Sequence, residues 1–373
     1  MSQQKEFELK QAGKIKRLTN RTFKFDSRIK DGWYSAVYFI KTARIVEKER
    51  PKHVVTMQFF QRHEAILCGI DESIALIHTF ASNPSNLKIS ALHDGDKIKP
   101  LEPVLKITGH YEDFGHLEGL IDGILARRTS IATNVYQTAK EATPAKIFFM
   151  GDRDDHYLNQ QGDGYAAYYG GVAAQATHAM NEWWGQEGTG TMPHALIQIF
   201  NGDLVKACEA YIKTYPNDRL VALVDFNNDV ITDSLKVANR FKKRLYGVRV
   251  DTSIAIKDKY FNQFKDDKKE YYGVNPFLIK ALRQALDKSG FRYVKIIVSS
   301  GFDIEKISWF KKEKAKVDLY GIGTSFLKVN IGFTGDLVNL DGLPLAKVGR
   351  KELPSKRLKV VDYNKTLNYK LSE

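Results

Sequence analysis

FRYVKIIVSSGFDIEKI (291–307) and VDLYGIGTSF (317–326) decide how this chain folds. Each holds a short apolar run that ends in small residues. Val294 to Val298 reads as a buried strand with Ser299-Ser300-Gly301 as its polar end, and Val317 to Gly321 as a second strand running into Gly321-Ile322-Gly323-Thr324. Strands this uniformly apolar, separated by helical stretches, are expected side by side in a parallel sheet covered by helices. Glycines and hydroxyls at two successive strand ends leave backbone N–H groups open to an anion, because no bulky side chain blocks approach. In (β/α)8 barrels a phosphate site often follows the last two strands. The alternative is two tight turns without a ligand.

Upstream the same unit recurs: apolar strand, polar strand end, helix. KIFFM (146–150), ALIQIF (195–200), RLVALVDF (219–226), GVRVD (247–251), YVKIIV (293–298) and VDLYGI (317–322) read as strands. Helices are expected around 165–182, 202–213, 230–244, 274–289 and 303–312, with Leu117 to Ala142 as a long helix or a bent pair leading in. A repeat of roughly 20–45 residues is the spacing of βα units in a barrel rather than of a solenoid. An open doubly wound sheet is the alternative.

The flanks have a different texture. Ala36 to Val46 has strand-like content, which His53 to Phe60 continues. Residues 61–81 turn helical, with Ile66, Ile70, Ile74 and Ile77 three or four apart, and Leu87 to Ile107 returns to short β segments around the Asp94-Gly95 turn. After Phe326, VNIGFTGDLVNLDG, PLAKVG and RLKVVDYN are again short β segments with turns. The expected fold class is α/β: an irregular (β/α) barrel over 111–329, with a second α+β domain built from 1–110 plus 330–373. The C-terminal segment would pack back on the N-terminal one.

A length of 373 residues suits two domains, and 43% hydrophobic with 27% charged residues suits a sizeable core rather than disorder. Cys68 and Cys208 read as reduced core thiols of a cytoplasmic protein and exclude a cysteine-rich zinc module. The start has no apolar signal core, and no run approaches the length of a membrane span. The net charge of +13, from 57 Lys+Arg against 44 Asp+Glu, admits nucleic acid as a partner. The basic residues are spread along the chain and mixed with acids, which favours a lysine-rich surface and a positive cleft for an anionic small molecule.

The chemistry gathers at strand ends. They carry Asp225, Arg249 with Asp251, Ser299 with Ser300, and Gly321, Gly323 and Thr324. Gly151-Asp152-Arg153-Asp154 follows the first strand, and GQEGTGTMPHAL (185–196) leads to His194. If these are all C-terminal ends, they meet at one mouth, where barrel enzymes keep their chemistry. Arg153 and Arg249 offer planar forks for phosphate or carboxylate. Asp225 and Asp251 can accept from sugar hydroxyls or hold hydrated Mg2+; an ordinary Arg249–Asp251 ion pair is the plainer reading. His194 in its glycine-rich loop suits a base, a phosphate ligand or a nucleophile, or a histidine without a role. Metal spacing among the histidines, GxGxxG after a first strand and GxxxxGK[ST] are all absent.

Taken together, GTGTMPHAL (188–196), LVDF (223–226), GVRVDT (247–252), IIVSSGFD (296–303) and YGIGTSF (320–326) resemble the nicotinate phosphoribosyltransferase family, the type II phosphoribosyltransferases related to quinolinate phosphoribosyltransferase. The resemblance covers nearly the whole chain. It implies an irregular barrel plus a domain from both chain ends, and usually a homodimer or dimer-based oligomer with active sites completed across the interface. The implied reaction joins nicotinate to 5-phosphoribosyl-1-pyrophosphate, giving nicotinate mononucleotide and pyrophosphate. Mg2+ assists, held through the pyrophosphate, with Asp225 or Asp251 as candidate protein ligands. ATP is the implied co-substrate, coupled through phosphorylation of His194.

By the same resemblance His194, Asp225 and Asp251 are catalytic. Tyr38, Arg153, Thr191, Arg249, Ser299, Ser300, Gly301, Gly321, Gly323 and Thr324 would bind substrate, Tyr38 by stacking on the pyridine ring. Glu118 matches a segment at the barrel entrance. Three departures leave nicotinate against nicotinamide open: Ser35-Ala36 where many members have Thr-Asp, one arginine (Arg153) where many have two, and Ala195 where serine is common after the histidine. Nicotinamide or quinolinate phosphoribosyltransferase is the alternative reading, and a basic nucleic-acid-binding protein a distant one.

Overall fold

The computed structural model describes residues 3–362. Residues 1–2 and 363–373 of the expected α+β domain, including the end of RLKVVDYN, lie outside that range. Lys146–Phe149, Ala174–Gln175, Leu220–Leu223, Leu245–Val250, Lys295–Val298 and Leu319–Ile322 form one six-stranded parallel sheet. Numbered along the chain, these strands lie in the order 2-1-6-5-4-3. The first therefore sits beside the last, with Phe148 opposite Gly321 and Phe149 opposite Ile322. That is the adjacency of a barrel ring, curled and left open between its second and third strands. Leu220–Leu223 is buried at every position, as a strand covered on both faces should be.

Two expected elements differ. ALIQIF is not a strand: His194–Ile199 is a helix, with Ile197 buried and Ile199 76% exposed. Pro193 directly before it presets the backbone for a helix start, and the isolated buried residue gives no row of side chains for a sheet to cover. The place of that strand in the ring is taken by the short Ala174–Gln175, which falls inside a stretch expected to be helical. Ala36 to Val46 is likewise not a strand but the helix Val37–Glu49. Its Ala43 and Val46 pack on the neighbouring core at a spacing of three, so helical periodicity outweighs the β-branched and aromatic content.

The second sheet is antiparallel, in the order Leu343–Pro344, Thr334–Leu340, Val54–Phe60, Leu105–His110, Lys88–Ala91, Lys359–Val360. Its central strands come from the N-terminal part, and C-terminal strands close both edges: Phe59 faces Gly335, and Ala91 faces Lys359. The C-terminal segment thus folds back on the N-terminal one. Helix Ile70–Phe80 covers this sheet with Ile70, Ile74 and Ile77 buried, while residues 65–66 of the expected helix form a two-residue strand instead.

Helix Glu118–Ala142 joins the two halves. Twenty-five residues at about 1.5 Å each make a rod of roughly 37 Å. Ile121 and Leu125 belong to the core under the antiparallel sheet; Ile131, Ala132, Val135 and Ala142 belong to the barrel core. Ser130 Oγ, buried between the two stretches, accepts from the backbone N–H groups of Asn330 (3.2 Å) and Ile331 (2.9 Å), where the chain leaves the barrel for the second sheet. Cys68 and Cys208 are buried free thiols. Among the described residues no helix is long and apolar enough to cross a membrane.

Candidate active site

Because the strands are parallel and in register, their C-terminal tips lie along one rim. Val250 pairs with Val298, Val298 with Tyr320, and Ile322 with Phe149. The rungs continue one step past the strands: Ser299 N–H donates to Val250 O (3.0 Å), and Met150 N–H to Ile322 O (2.7 Å). Asp251, Ser299, Gly321 to Thr324 and Gly151 to Asp154 therefore leave the sheet on the same side.

Arg249 lies one rung below the rim and points into the barrel. It is 8% exposed, and its terminal nitrogen donates to Met192 O (3.0 Å), which ties the GTGTMPH loop to the wall. Its Nε is buried with no hydrogen-bond partner. A buried charged donor without an acceptor is costly, so this atom points to an anionic ligand. Burial works against the arginine's charge, Asp251 and Asp225 support it, and the charge of Arg153 opposes it. Two guanidinium groups held near one another suit a bound phosphate or carboxylate. Thr252 Oγ1, next along the chain from Asp251, is also buried without a partner.

Ser299 Oγ donates to Asp251 Oδ1 at 2.6 Å, a charge-assisted bond that fixes both side chains. The two carboxylates at neighbouring tips are thus held differently. Asp225 Oδ1 faces His194 Nε2 at 3.2 Å, with the Asp225 side chain 5% exposed and that of His194 42% exposed. Burial raises the Asp225 pKa above the ordinary carboxylate value, and His194 offsets part of the rise. With Asp225 ionised, Nε2 carries the proton and Nδ1 keeps its lone pair. The loop that presents His194 needs Gly188: a Cβ there would lie 2.5 Å from the Thr177 carbonyl carbon. Thr189 N–H donates to Gln175 O (3.0 Å), anchoring the loop to the barrel's edge strand, and Thr191 is half-buried just before Met192.

The two turns expected to cradle phosphate have the needed backbone. Ser300 and Gly301 both adopt positive φ, 80° and 63°, so successive amides turn outward. Gly321 must lack a side chain, because a Cβ would meet Met150 Sδ at 2.6 Å and Ser299 Cβ at 3.1 Å. Gly323 is pressed against Met150 O and the Asp154 carboxylate. The amides of Gly301, Phe302, Gly323, Thr324 and Ser325 donate to no acceptor among the described residues.

Sequence reasoning missed Lys306. Its ammonium donates to Ser300 O (2.8 Å) and lies 4.3 Å from the Phe302 ring centre, inside the first of these turns. Burial lowers its pKa to about 8, with Asp303 opposing. The available signal was a lysine in the first turn of the helix that follows the glycine turn.

Tyr38 stands apart. It is 64% exposed on helix Val37–Glu49, its ring rests on Phe39 (4.2 Å), and its helix packs against Tyr111–Leu117 rather than the strand tips. Glu118 lies beside Gly335, beyond the barrel end of its helix. The structure thus brings together Arg153, His194, Asp225, Arg249, Asp251, Ser299 and the two glycine turns, and leaves Tyr38 outside.

Residues 36–129 match the family model for the quinolinate phosphoribosyl transferase N-terminal domain. The nicotinate phosphoribosyltransferase of Bacillus subtilis (strain 168) is 22% identical over 298 residues, 72% of this chain and 56% of that protein. A nicotinate phosphoribosyltransferase of Mycobacterium tuberculosis is 25% identical over 244 residues, 64% of this chain and 47% of that protein. The chain spans about half the length of the curated relatives it matches. Among solved structures, nicotinate-nucleotide pyrophosphorylase from Pyrococcus furiosus aligns with a TM-score of 0.76 at 28% identity, over 92% of this chain and 86% of that one. Human nicotinic acid phosphoribosyltransferase shares the fold, with a TM-score of 0.64 at 17% identity over 83% and 75% of the two chains.

Proposed function

We propose that this chain, which is similar over residues 36–129 to the quinolinate phosphoribosyl transferase N-terminal domain and over 72% of its length to a nicotinate phosphoribosyltransferase, joins nicotinate to 5-phosphoribosyl-1-pyrophosphate, releasing nicotinate mononucleotide and pyrophosphate. The observation that carries the reading is the buried, unpartnered Nε of Arg249 on the same rim as two turns of free amides. The rim offers separate places for a sugar phosphate and for a second anionic group.

The amides of the Gly301 and Gly323 turns take the 5-phosphate. Asp251, held by Ser299, accepts from ribose hydroxyls. The C1–oxygen bond breaks with its electron pair leaving on pyrophosphate, and the pyridine nitrogen's lone pair forms the new bond from the opposite face. No general base is required, because that nitrogen carries no proton at neutral pH. The chain's work is orientation and electrostatics: Arg249 and Arg153 draw the anionic groups, and the carboxylates tolerate the cationic sugar carbon.

Mg2+ fits this donor set through the substrate rather than through a protein cage. Asp225 and Asp251 each have one oxygen engaged, by His194 and Ser299, and no group of three or more His, Cys, Asp or Glu among the described residues is placed to hold a metal. Bound through the pyrophosphate, with Asp225 or Asp251 in reach, it would neutralise the leaving charge.

ATP coupling through phosphohistidine belongs to the same proposal. Nδ1 of His194 is the ring nitrogen left to accept the phosphoryl group as ADP departs, and Asp225 steadies the ring. The enzyme acts as a homodimer in which Tyr38 of one copy stacks on the pyridine in the other.

Quinolinate is the second reading, favoured by the family model that residues 36–129 match. Incubation with phosphoribosyl pyrophosphate, Mg2+ and each pyridine in turn decides. Nicotinate mononucleotide from nicotinate, stimulated by ATP, is the expected result. Product only from quinolinate with release of CO2, or only from nicotinamide, would overturn the substrate assignment.

A further inference from the structure

The cradle that should receive phosphate already has an anion against it. A side chain on Gly323 would strike the Asp154 carboxylate, so that carboxylate lies directly over the turn whose Gly323, Thr324 and Ser325 amides are unpaired. Asp154 makes no side-chain hydrogen bond or ion pair among the described residues; its backbone N–H donates to Gly151 O (3.3 Å). Its neighbour behaves differently. Asp155 is paired with Arg127, which also holds Asp163 at 2.8 Å, and accepts from His156 N–H (2.6 Å) and Asn159 Nδ2 (3.2 Å). Gln160 Nε2 fastens Asp152 O (3.0 Å) from the other side. The loop is therefore pinned before and after Asp154, and the unpaired carboxylate is held over the glycine turn by its neighbours. Arg153 in the same loop is near enough for its charge to oppose that of Arg249.

We infer that Asp154 is a resident anion beside the phosphate cradle, a specificity-determining residue that opposes the substrate's phosphate by its charge at the Gly323–Ser325 turn. The inference rests on the phosphate-binding role proposed for that turn. A carboxylate within a few ångströms of a phosphate repels it most strongly where water is partly excluded. Asp154 thus weakens phosphate binding and must turn aside for the sugar phosphate to seat. Its charge also favours departure of the phosphate as product leaves, which speeds release. Arg153 and Asp154 together give one loop opposed effects: the arginine attracts the anion and the aspartate limits how long it stays.

The test is calorimetric titration of the full chain with inorganic phosphate in buffer free of divalent cations, comparing the natural protein with Asp154→Asn and Asp154→Ala. Both substitutions lie on an exposed loop, and thermal melts establish that the variants are folded. The expected result is phosphate binding at least about fivefold tighter in both variants, with a matching fall in KM for phosphoribosyl pyrophosphate and no rise in kcat. Affinity within twofold of the natural protein, or weaker binding, overturns the inference while leaving the phosphate cradle in place. No phosphate binding by any of the three proteins overturns the cradle and this inference together. Tighter phosphate binding in a protein that makes no pyridine nucleotide supports the role of Asp154 and sinks the substrate reading instead.

Discussion

Arg249, His194 and Lys306 show how differently single residues announce their roles. Arg249 is charged inside an apolar strand, a pattern that has few structural explanations, and its orphaned Nε gives it one. His194 stood out only by its glycine-rich approach, and the Asp225 contact at 3.2 Å supplies the rest. His194→Ala should abolish both ATP stimulation and acid-labile phosphate incorporation, while leaving a slow ATP-independent reaction. Full stimulation in that variant would remove the histidine from the mechanism. Lys306 offered only its place in the first turn of the helix after SSG, and nothing in SGFDIEK says that the lysine turns back to the Ser300 carbonyl. Since its pKa is lowered to about 8, the ammonium is present below that pH and lost above it. Phosphate affinity should therefore fall as pH rises through about 8. Lys306→Met should raise KM for phosphoribosyl pyrophosphate roughly tenfold, a loss of about 1.4 kcal/mol, with kcat little changed and the alkaline step gone. Lys306→Arg should restore the affinity. A flat pH profile in the natural protein would contradict this.

At the scale of the element, Leu117 to Ala142 read as a long helix or a bent pair and proves to be the single helix Glu118–Ala142, whereas its polar anchors left no sign. Ser130 accepts two backbone N–H groups from a crossing segment two hundred residues away in sequence, a contact with no local signature. Ser130→Ala leaves those donors without an acceptor in a buried place, and should cost about 1–3 kcal/mol in denaturant unfolding. The first turns carry a pH-dependent strain of the opposite sign. Burial, reinforced by Asp122 and Asp336, raises Glu118 from 4.5 to about 8, and burial likewise raises Asp122 from 3.8 to about 6. The folded form holds more protons than the unfolded form within these windows, so stability falls as pH rises through them. Glu118→Gln should raise Tm by a few degrees at pH 8.5 and leave it unchanged at pH 4. A variant melting lower at the higher pH would show that the carboxylate is needed charged. The two misread elements, 36–46 and 195–200, failed for a related reason. Short apolar runs fit strand and helix alike, and only their tertiary neighbours decide between them.

For the whole molecule, the repeated strand–tip–helix unit and the return of β texture after Phe326 were enough to foresee a barrel with both chain ends folded into one second sheet. They were not enough to foresee where the ring would open, because Ala174–Gln175 is too short to leave a sequence pattern. The same architecture holds Tyr38 away from the strand tips of its own copy. Helix Val37–Glu49 has no buried residue, and Val37, Tyr38 and Ile45 along it, with Trp33 in the turn before it, are each at least 60% exposed. If Tyr38 serves the mouth of a second copy, two crippled chains should rescue one another. Tyr38→Ala and His194→Ala, each inactive in ATP-coupled synthesis, would be mixed under conditions that exchange subunits. Random pairing makes half the dimers mixed, and each mixed dimer has one site with both residues intact, so about a quarter of the natural activity should return. A site contained in one chain gives no recovery at any ratio. A Tyr38→Ala protein that keeps its activity unmixed would take the tyrosine out of the site and leave the exposed face of its helix to some other purpose.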